Sequence, residues 1–118
     1  MEKGSIPYRV THNDTKINNI LFDEKTGEAV CVIDLDTVMP GLMAYDFGDA
    51  VRSCANEVTE DETDLSKVKF NLEKFAAFSE GFINSTKDII TENELKSLPL
   101  GALTMATELA VRFLDDYI

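Results

Sequence analysis

The spacing of apolar residues changes partway along this chain, and that change limits what the chain can become. Up to residue 43 the apolar residues gather in short β-branched runs. Tyr8–His12 (YRVTH), Ile20–Asp23 (ILFD) and Ala29–Leu35 (AVCVIDL) read as three strands. The last two are joined by Asp23-Glu24-Lys25-Thr26-Gly27-Glu28, where Gly27 suits a turn that needs positive φ. Strands two and three are therefore expected to be antiparallel neighbours, and Pro40-Gly41 is expected to end the extended segment.

From residue 44 the period is helical. Asp46–Ala55 places Phe47, Ala50, Val51 and Cys54 on one face, and Leu72, Phe75, Ala76, Ser79, Phe82 and Ile83 repeat the pattern. Thr91-Glu92-Asn93-Glu94 fits a capping box, in which the Thr91 hydroxyl and the Glu94 carboxylate satisfy opposite amides. It should open a short helix that Pro99 interrupts. A further helix from Leu100 to Tyr117 would carry Leu103, Ala106, Leu109, Ala110, Phe113 and Tyr117 on its apolar side. The phenylalanines of residues 70–82, Cys31 in its strand and Cys54 on its helix are expected in the core. Residues 57–66 (EVTEDETDLS), with five acids and no base, form the one solvated break. The expected fold class is α+β, with strands in 1–43 and helices in 44–118.

Nothing after Tyr117 reads as a helix stop. Asp115 and Asp116 instead oppose the macrodipole at a helix C-terminus. The expectation is that the chain is part of a longer protein.

At 118 residues there is enough chain for one domain with a core. Acids outnumber bases 22 to 11, for a net charge of −11, which argues against nucleic acid or an anionic membrane as partner. Cations, metal–nucleotide complexes and neutral substrates stay open. No apolar run approaches the ~20 residues of a membrane span, and MEKGSIPYRV lacks the pattern of a signal peptide. Two cysteines and one histidine cannot fill a structural zinc site. Reduced thiols and a cytoplasmic location are expected.

The stretch that carries chemistry is Thr11-His12-Asn13-Asp14-Thr15-Lys16-Ile17-Asn18-Asn19, with Val32-Ile33-Asp34-Leu35-Asp36 downstream. One strand ends at an Asp, a polar loop presents Lys and Asn, and a hairpin returns a second Asp. Asn19 and Asp34 offer hard oxygen ligands for Mg²⁺, and Asp14 is left to take a proton.

His-x-Asp-x-Lys-x-x-Asn followed by a strand-end Asp resembles the catalytic and metal loops of protein-kinase-like phosphotransferases. The wider phrase, THNDTKINNILFD with CVIDLDTVMPGLMAYDFGD, resembles the aminoglycoside/choline-kinase superfamily. Within it the bacterial N-acetylhexosamine 1-kinases, some relatives of which carry a mucin-desulfating label, are the most similar. The resemblance covers nearly the whole chain, and only the C-terminal lobe of such an enzyme.

The resemblance implies a role for each matching residue. Asp14 would be the catalytic base that orients and deprotonates a sugar hydroxyl. Asn19 and Asp34 would hold Mg²⁺ against the phosphates of ATP, and Lys16 would offset charge on the transferred phosphoryl group. His12 and Asp46, the latter in Tyr45-Asp46-Phe47-Gly48-Asp49, would support the loop. Arg112 falls where the hexosamine kinases place a sugar-contacting arginine; pairing with Glu108 at i,i+4 is the alternative. Asp49 and Arg52 are expected to form a surface ion pair at i,i+3.

The chain also departs from the pattern. Asp34-Leu35-Asp36 stands where Asp-Phe-Gly is usual, so Asp36 either assists the metal or a water, or caps a turn. No Gly-rich phosphate loop and no strand lysine with a helix glutamate partner occurs; the resemblance implies that these would belong to an N-terminal lobe, which is expected to lie outside this sequence. Alone it is expected to transfer nothing measurable, and its lobe-interface surface is expected to drive self-association. Two rival readings stand beside the kinase. Val30–Val38 also resembles the opening motif of haloacid-dehalogenase-type phosphatases, with Asp34 as nucleophile and Asp36 as general acid. The other rival is a non-catalytic kinase-lobe module, against which the intact Asp14, Asn19 and Asp34 argue.

Overall fold

The computed structural model describes residues 5–59 and 62–118, so Met1–Gly4 and, within the acidic break, Glu60 and Asp61 lie outside the described residues. The chain forms an α+β arrangement of two small antiparallel strand pairs followed by three helices. No helix among the described residues is long and apolar enough to cross a membrane.

Strand β1 (Arg9–Thr11) pairs with β4 (Met39–Gly41), setting Arg9 opposite Gly41 and Thr11 opposite Met39. The extended segment ends at Gly41, as expected, with Pro40 and Gly41 themselves paired in β4. A two-stranded pair has only edges, and there proline's missing N–H costs little. Strand β2 (Ile20–Phe22) pairs with β3 (Ala29–Val32) as the expected hairpin, with Gly27 at φ +71°. β3 stops at Val32, before the expected Leu35, because Asp34 adopts a left-handed conformation (φ 60°, ψ 59°) that leads into a 3-10 turn, Leu35–Thr37. All of β3 is exposed, Cys31 included, which corrects its placement in the core. A lone hairpin has no second layer to cover it.

Helix α1 (Met43–Cys54) begins three residues earlier than expected and buries Ala44, Phe47 and Val51 at helical spacing. Helix α2 (Leu72–Thr86) is capped by the Asn71 side chain, which accepts from the Lys74 N–H at 2.9 Å. It meets α1 through a ridge of Phe75, Phe78 and Phe82. The Phe82 ring stands edge-on to Phe47 at 5.2 Å between centroids. Leu72 and Phe70, expected inside, are exposed: Leu72 stands in the first turn of α2 off the ridge that meets Phe47, and Phe70 precedes the helix with its ring 5.5 Å from that of Phe75. Cys54 is half-buried at the end of α1.

Helix α3 (Glu92–Tyr117) runs unbroken through Pro99. An interior proline costs roughly 3 kcal/mol, which packing on either side offsets: Leu98 is buried in the core, and Gly101 lies against α1. Gly48 and Gly101 face each other across the α1–α3 contact, where a Cβ on either would strike the other helix's backbone. The expected capping box is present, with Thr91 and Glu94 bonded reciprocally at 2.8 and 3.2 Å. α3 has 26 residues against the 12 of α1. Leu103, Phe113 and Tyr117, on its apolar side, are exposed.

Candidate active site

The loop after β1 is bonded to both ends of residues 33–41 and to α1. Asn13 turns the chain in the left-handed region, φ 62°. Its side-chain amide donates to the Thr37 carbonyl at 3.0 Å, and the Thr37 hydroxyl donates to the His12 carbonyl at 2.6 Å. Asp46, in the first turn of α1, accepts the N–H groups of His12 and Asn13 at 2.9 and 2.8 Å, one on each carboxylate oxygen. The Thr15 hydroxyl donates to the Asp46 carbonyl at 2.7 Å, and the Ile17 N–H to the Ser53 hydroxyl at 3.0 Å. The loop backbone between His12 and Ile17 is therefore anchored along α1.

Asp14 sits at the centre of this loop. The Asn19 amide donates to both its carbonyl, at 2.8 Å, and its carboxylate, at 2.9 Å. Two acceptors fix which end of the amide faces Asp14, so Asn19 Oδ1 turns the other way. Lys16 Nζ lies 3.2 Å from the other Asp14 carboxylate oxygen. The His12 ring is bonded at both nitrogens: Nδ1 accepts the Asp14 N–H at 3.3 Å and Nε2 meets the Ile33 carbonyl at 3.0 Å. These partners assign the proton to Nε2, which donates to Ile33.

The Ile33 N–H donates to the Asn19 carbonyl at 2.9 Å. Residue 33 is thus held by Asn19 on one side and His12 on the other, and Asp34 follows directly. The Asp34 side chain caps nothing in the turn that it precedes. Asp36 lies in the first turn of the same 3-10 segment. Among the described residues no group of three or more His, Cys, Asp or Glu side chains is gathered for a metal. The oxygens on offer are the Asn19 amide and the Asp34 carboxylate, a donor set that suits Mg²⁺, which takes few protein ligands and keeps waters and phosphate oxygens.

Two cavities adjoin the loop. One, of about 200 Å³, is lined by Asp14, Lys16, Asp49, Arg52 and, from α3, Glu108 and Arg112. Arg112 and Asp14 thus border one space, although the guanidinium also approaches Glu108 at 3.7 Å and is largely exposed. The other, of about 640 Å³, lies between the loop, the end of α1 and the second half of α3.

Other polar groups gain their place only from the fold. Asp49 and Arg52 pair at 2.8 Å, and their side chains are 7% and 14% exposed, so the expected surface pair is largely buried. Arg9 grips Glu94 with two bonds, 2.8 and 2.9 Å, and donates to the Ile89 carbonyl at 2.7 Å. The Arg9 guanidinium, with help from the Thr91 N–H, pulls the Glu94 carboxyl down to about 2 despite its burial. Burial pushes the Cys54 thiol above its usual range. Arg9 had no local signal in the chain, because its partner is 85 residues away. The Glu94 half was visible as a capping box.

A family model described as "APH: Phosphotransferase enzyme family" matches residues 3–78. The match takes in the whole loop, both strand pairs and α1, and it ends before Arg112.

Proposed function

The chain belongs to the phosphotransferase enzyme family, and on that premise we propose that it carries the catalytic loop of a kinase that moves the γ-phosphoryl of ATP to a hydroxyl of a small sugar. The proposed acceptor is the anomeric hydroxyl of an N-acetylhexosamine. One observation carries the kinase reading: Asn19 and Lys16 both engage the Asp14 carboxylate within a loop that α1 holds by its backbone. A carboxylate fixed this way can accept the proton of an attacking hydroxyl without reorganising. Lys16 stands where negative charge on a transferred phosphoryl group would be offset. His12 and Asp46 set the loop's shape and do not meet the reacting atoms.

Asn19 Oδ1 and the Asp34 carboxylate are the groups that would hold Mg²⁺, which supplies charge neutralisation on the nucleotide phosphates when bound. The adenine side of the nucleotide would rest on a further lobe, so that the chain alone is inactive. Arg112, on the wall of the Asp14 cavity, would contact the sugar. The phosphatase reading has less support: among the described residues, 44–118 hold three helices and one isolated bridge, Asn56 with Phe70, and no alternation of strands and helices.

The test is Asp14→Asn in the intact protein, assayed for ATP-dependent phosphorylation of N-acetylhexosamines. A fall of at least about 10³-fold in kcat with the fold retained is expected. Retained transfer, or a phosphoaspartate trapped on Asp34, would sink the reading.

A further inference from the structure

Among the described residues, Asn13 and Asp34 are the two non-glycine residues with left-handed backbones, at φ 62° and 60°. One precedes the base, Asp14, and the other is an expected metal ligand. A residue with a Cβ persists in that conformation only where its surroundings over-determine it. Packing does not do so at Asp34, because every residue of 33–38 except Thr37 is exposed, Leu35 and Val38 included. The turn is held from its ends instead. Upstream, the Ile33 N–H donates to the Asn19 carbonyl at 2.9 Å and the Ile33 carbonyl meets the His12 ring at 3.0 Å. Downstream, Thr37 makes two bonds of opposite sense to the same loop. Its hydroxyl donates to the His12 carbonyl at 2.6 Å, and its carbonyl accepts the Asn13 side-chain amide at 3.0 Å. The Asn13 amide oxygen lies 3.0 Å from the hydroxyl of Thr11, which is buried. The two left-handed residues are thus joined through Thr37, and the joint is rooted at the end of β1.

We propose that Thr37 is a positioning residue for the divalent ion: by clasping His12 and Asn13 it keeps the Asp34 carboxylate at one spacing from Asp14, and it touches neither the ion nor the reacting atoms. This rests on the kinase reading, in which Asp14 takes the proton and Asn19 and Asp34 hold Mg²⁺. With Ile33 already fixed, the Thr37 clasp closes the turn on its far side and leaves Asp34 one backbone conformation. Without the hydroxyl, residues 34–36 can relax toward the right-handed or extended backbone that a residue with a Cβ prefers, and the Asp34 carboxylate moves with them. Groups that orient metal ligands without touching the metal typically carry about 10–100-fold in affinity. Thr37 acts through one hydroxyl and one carbonyl, so its share falls at the low end of that range.

The experiment measures Mn²⁺ binding to the intact protein by electron paramagnetic resonance in the presence of ADP, with thermal unfolding run on each variant. Thr37→Val, which has the shape of threonine without the hydroxyl, should weaken Mn²⁺ about tenfold. Thr37→Ser keeps the hydroxyl and should stay within about twofold of the parent. Asn13→Gly removes the amide at a position where glycine is at ease with positive φ, and should weaken Mn²⁺ about fivefold. It carries the test if Thr37→Val does not fold. In turnover, Thr37→Val should raise the KM of the metal–nucleotide about tenfold and leave that of the acceptor unchanged, a split that lost stability does not produce. Unchanged Mn²⁺ affinity in Thr37→Val, or in Asn13→Gly where the valine variant fails to fold, overturns the proposal. So does a serine variant as weak as the valine one, or a parent that binds no Mn²⁺. Mn²⁺ affinity that follows the hydroxyl, in a protein that phosphorylates no acceptor, overturns the kinase reading and leaves the role of Thr37 standing.

Discussion

The Arg9 guanidinium spans both carboxylate oxygens of Glu94, at 2.8 and 2.9 Å, and so ties the strand that leads into the Asp14 loop to the first turn of α3. Glu94 is wholly buried and accepts the Thr91 N–H as well. Removing either partner strands a buried charge or leaves the cap half satisfied.

This pair should make stability depend on acid. The Glu94 carboxyl titrates near 2 in the folded chain, against about 4.5 unfolded. A depressed folded value means that the contribution is present above the unfolded value and is lost as pH falls toward 2. Screening at the partly exposed Arg9 keeps it on the order of 2 kcal/mol. Urea unfolding at a series of pH values from 7 to 3 should show that loss. Glu94→Gln should be less stable at pH 7 and should have a flatter acid limb. An unchanged limb would mean that other carboxylates cause the loss.

Asp46 holds two successive N–H groups of the loop, at His12 and Asn13. Asp46→Ala leaves both without that acceptor and should cost about 1–3 kcal/mol of stability. It should also lower kcat of the intact protein about 10²-fold through displacement of Asp14. Asp46→Asn, with a single acceptor oxygen, should fall between. Steady-state kinetics alongside thermal unfolding check the pair of effects; kcat unchanged in the alanine variant would contradict the anchoring role.

The helix contact at Gly48 and Gly101 has no room for a methyl group. A Cβ at Gly101 would collide with the Ala44 carbonyl, and one at Gly48 with the Gly101 backbone. Neither obstacle is a flexible side chain that can swing aside. Gly101→Ala should destabilise by about 3 kcal/mol or more, although alanine is the better helix former elsewhere. Gly81→Ala in α2, where nothing lies within 4 Å, is the control and should be neutral or mildly stabilising.

If Asn19 and Asp34 hold the divalent ion, Mn²⁺ binding in the presence of nucleotide should weaken at least tenfold in Asp34→Asn and in Asn19→Ala. Electron paramagnetic resonance of free Mn²⁺ reads this directly, without turnover. Asp36→Asn should have a smaller effect. Equal losses at Asp34 and Asp36 would assign both to the ion.

The two thiols should react in sequence. Cys31 is exposed on β3, whereas burial raises the Cys54 thiol and hides half its residue. A colorimetric disulfide reagent at pH 8 should label Cys31 in the fast phase, and Cys31→Ser should abolish that phase alone.

What could be read from the chain was local. Asp14, Lys16 and Asn19 fall within six residues, so any turn there brings them together, and the Gly27 hairpin and the Thr91–Glu94 box are closed within the same length. The expectations that failed each depended on distant partners. Pro99 looked like a helix break because its penalty is local, whereas the packing of Leu98 and Gly101 that offsets it comes from α1. Cys31 and its strand looked buried because apolar runs usually are, and only the absence of a covering layer among the described residues exposes them. Leu72 looked core-facing from its spacing, whereas the ridge that meets Phe47 is made by Phe75, Phe78 and Phe82, which were expected inside. Arg9 carried no sign of its role at all.

The glycine-to-glycine meeting of α1 and α3 sets the distance between the element that carries Asp46 and the element that carries Arg112 by main-chain atoms alone. Those atoms are common to every amino acid. Side chains that line the cavities can therefore be exchanged without moving α1 against α3, as long as positions 48 and 101 stay free of a Cβ.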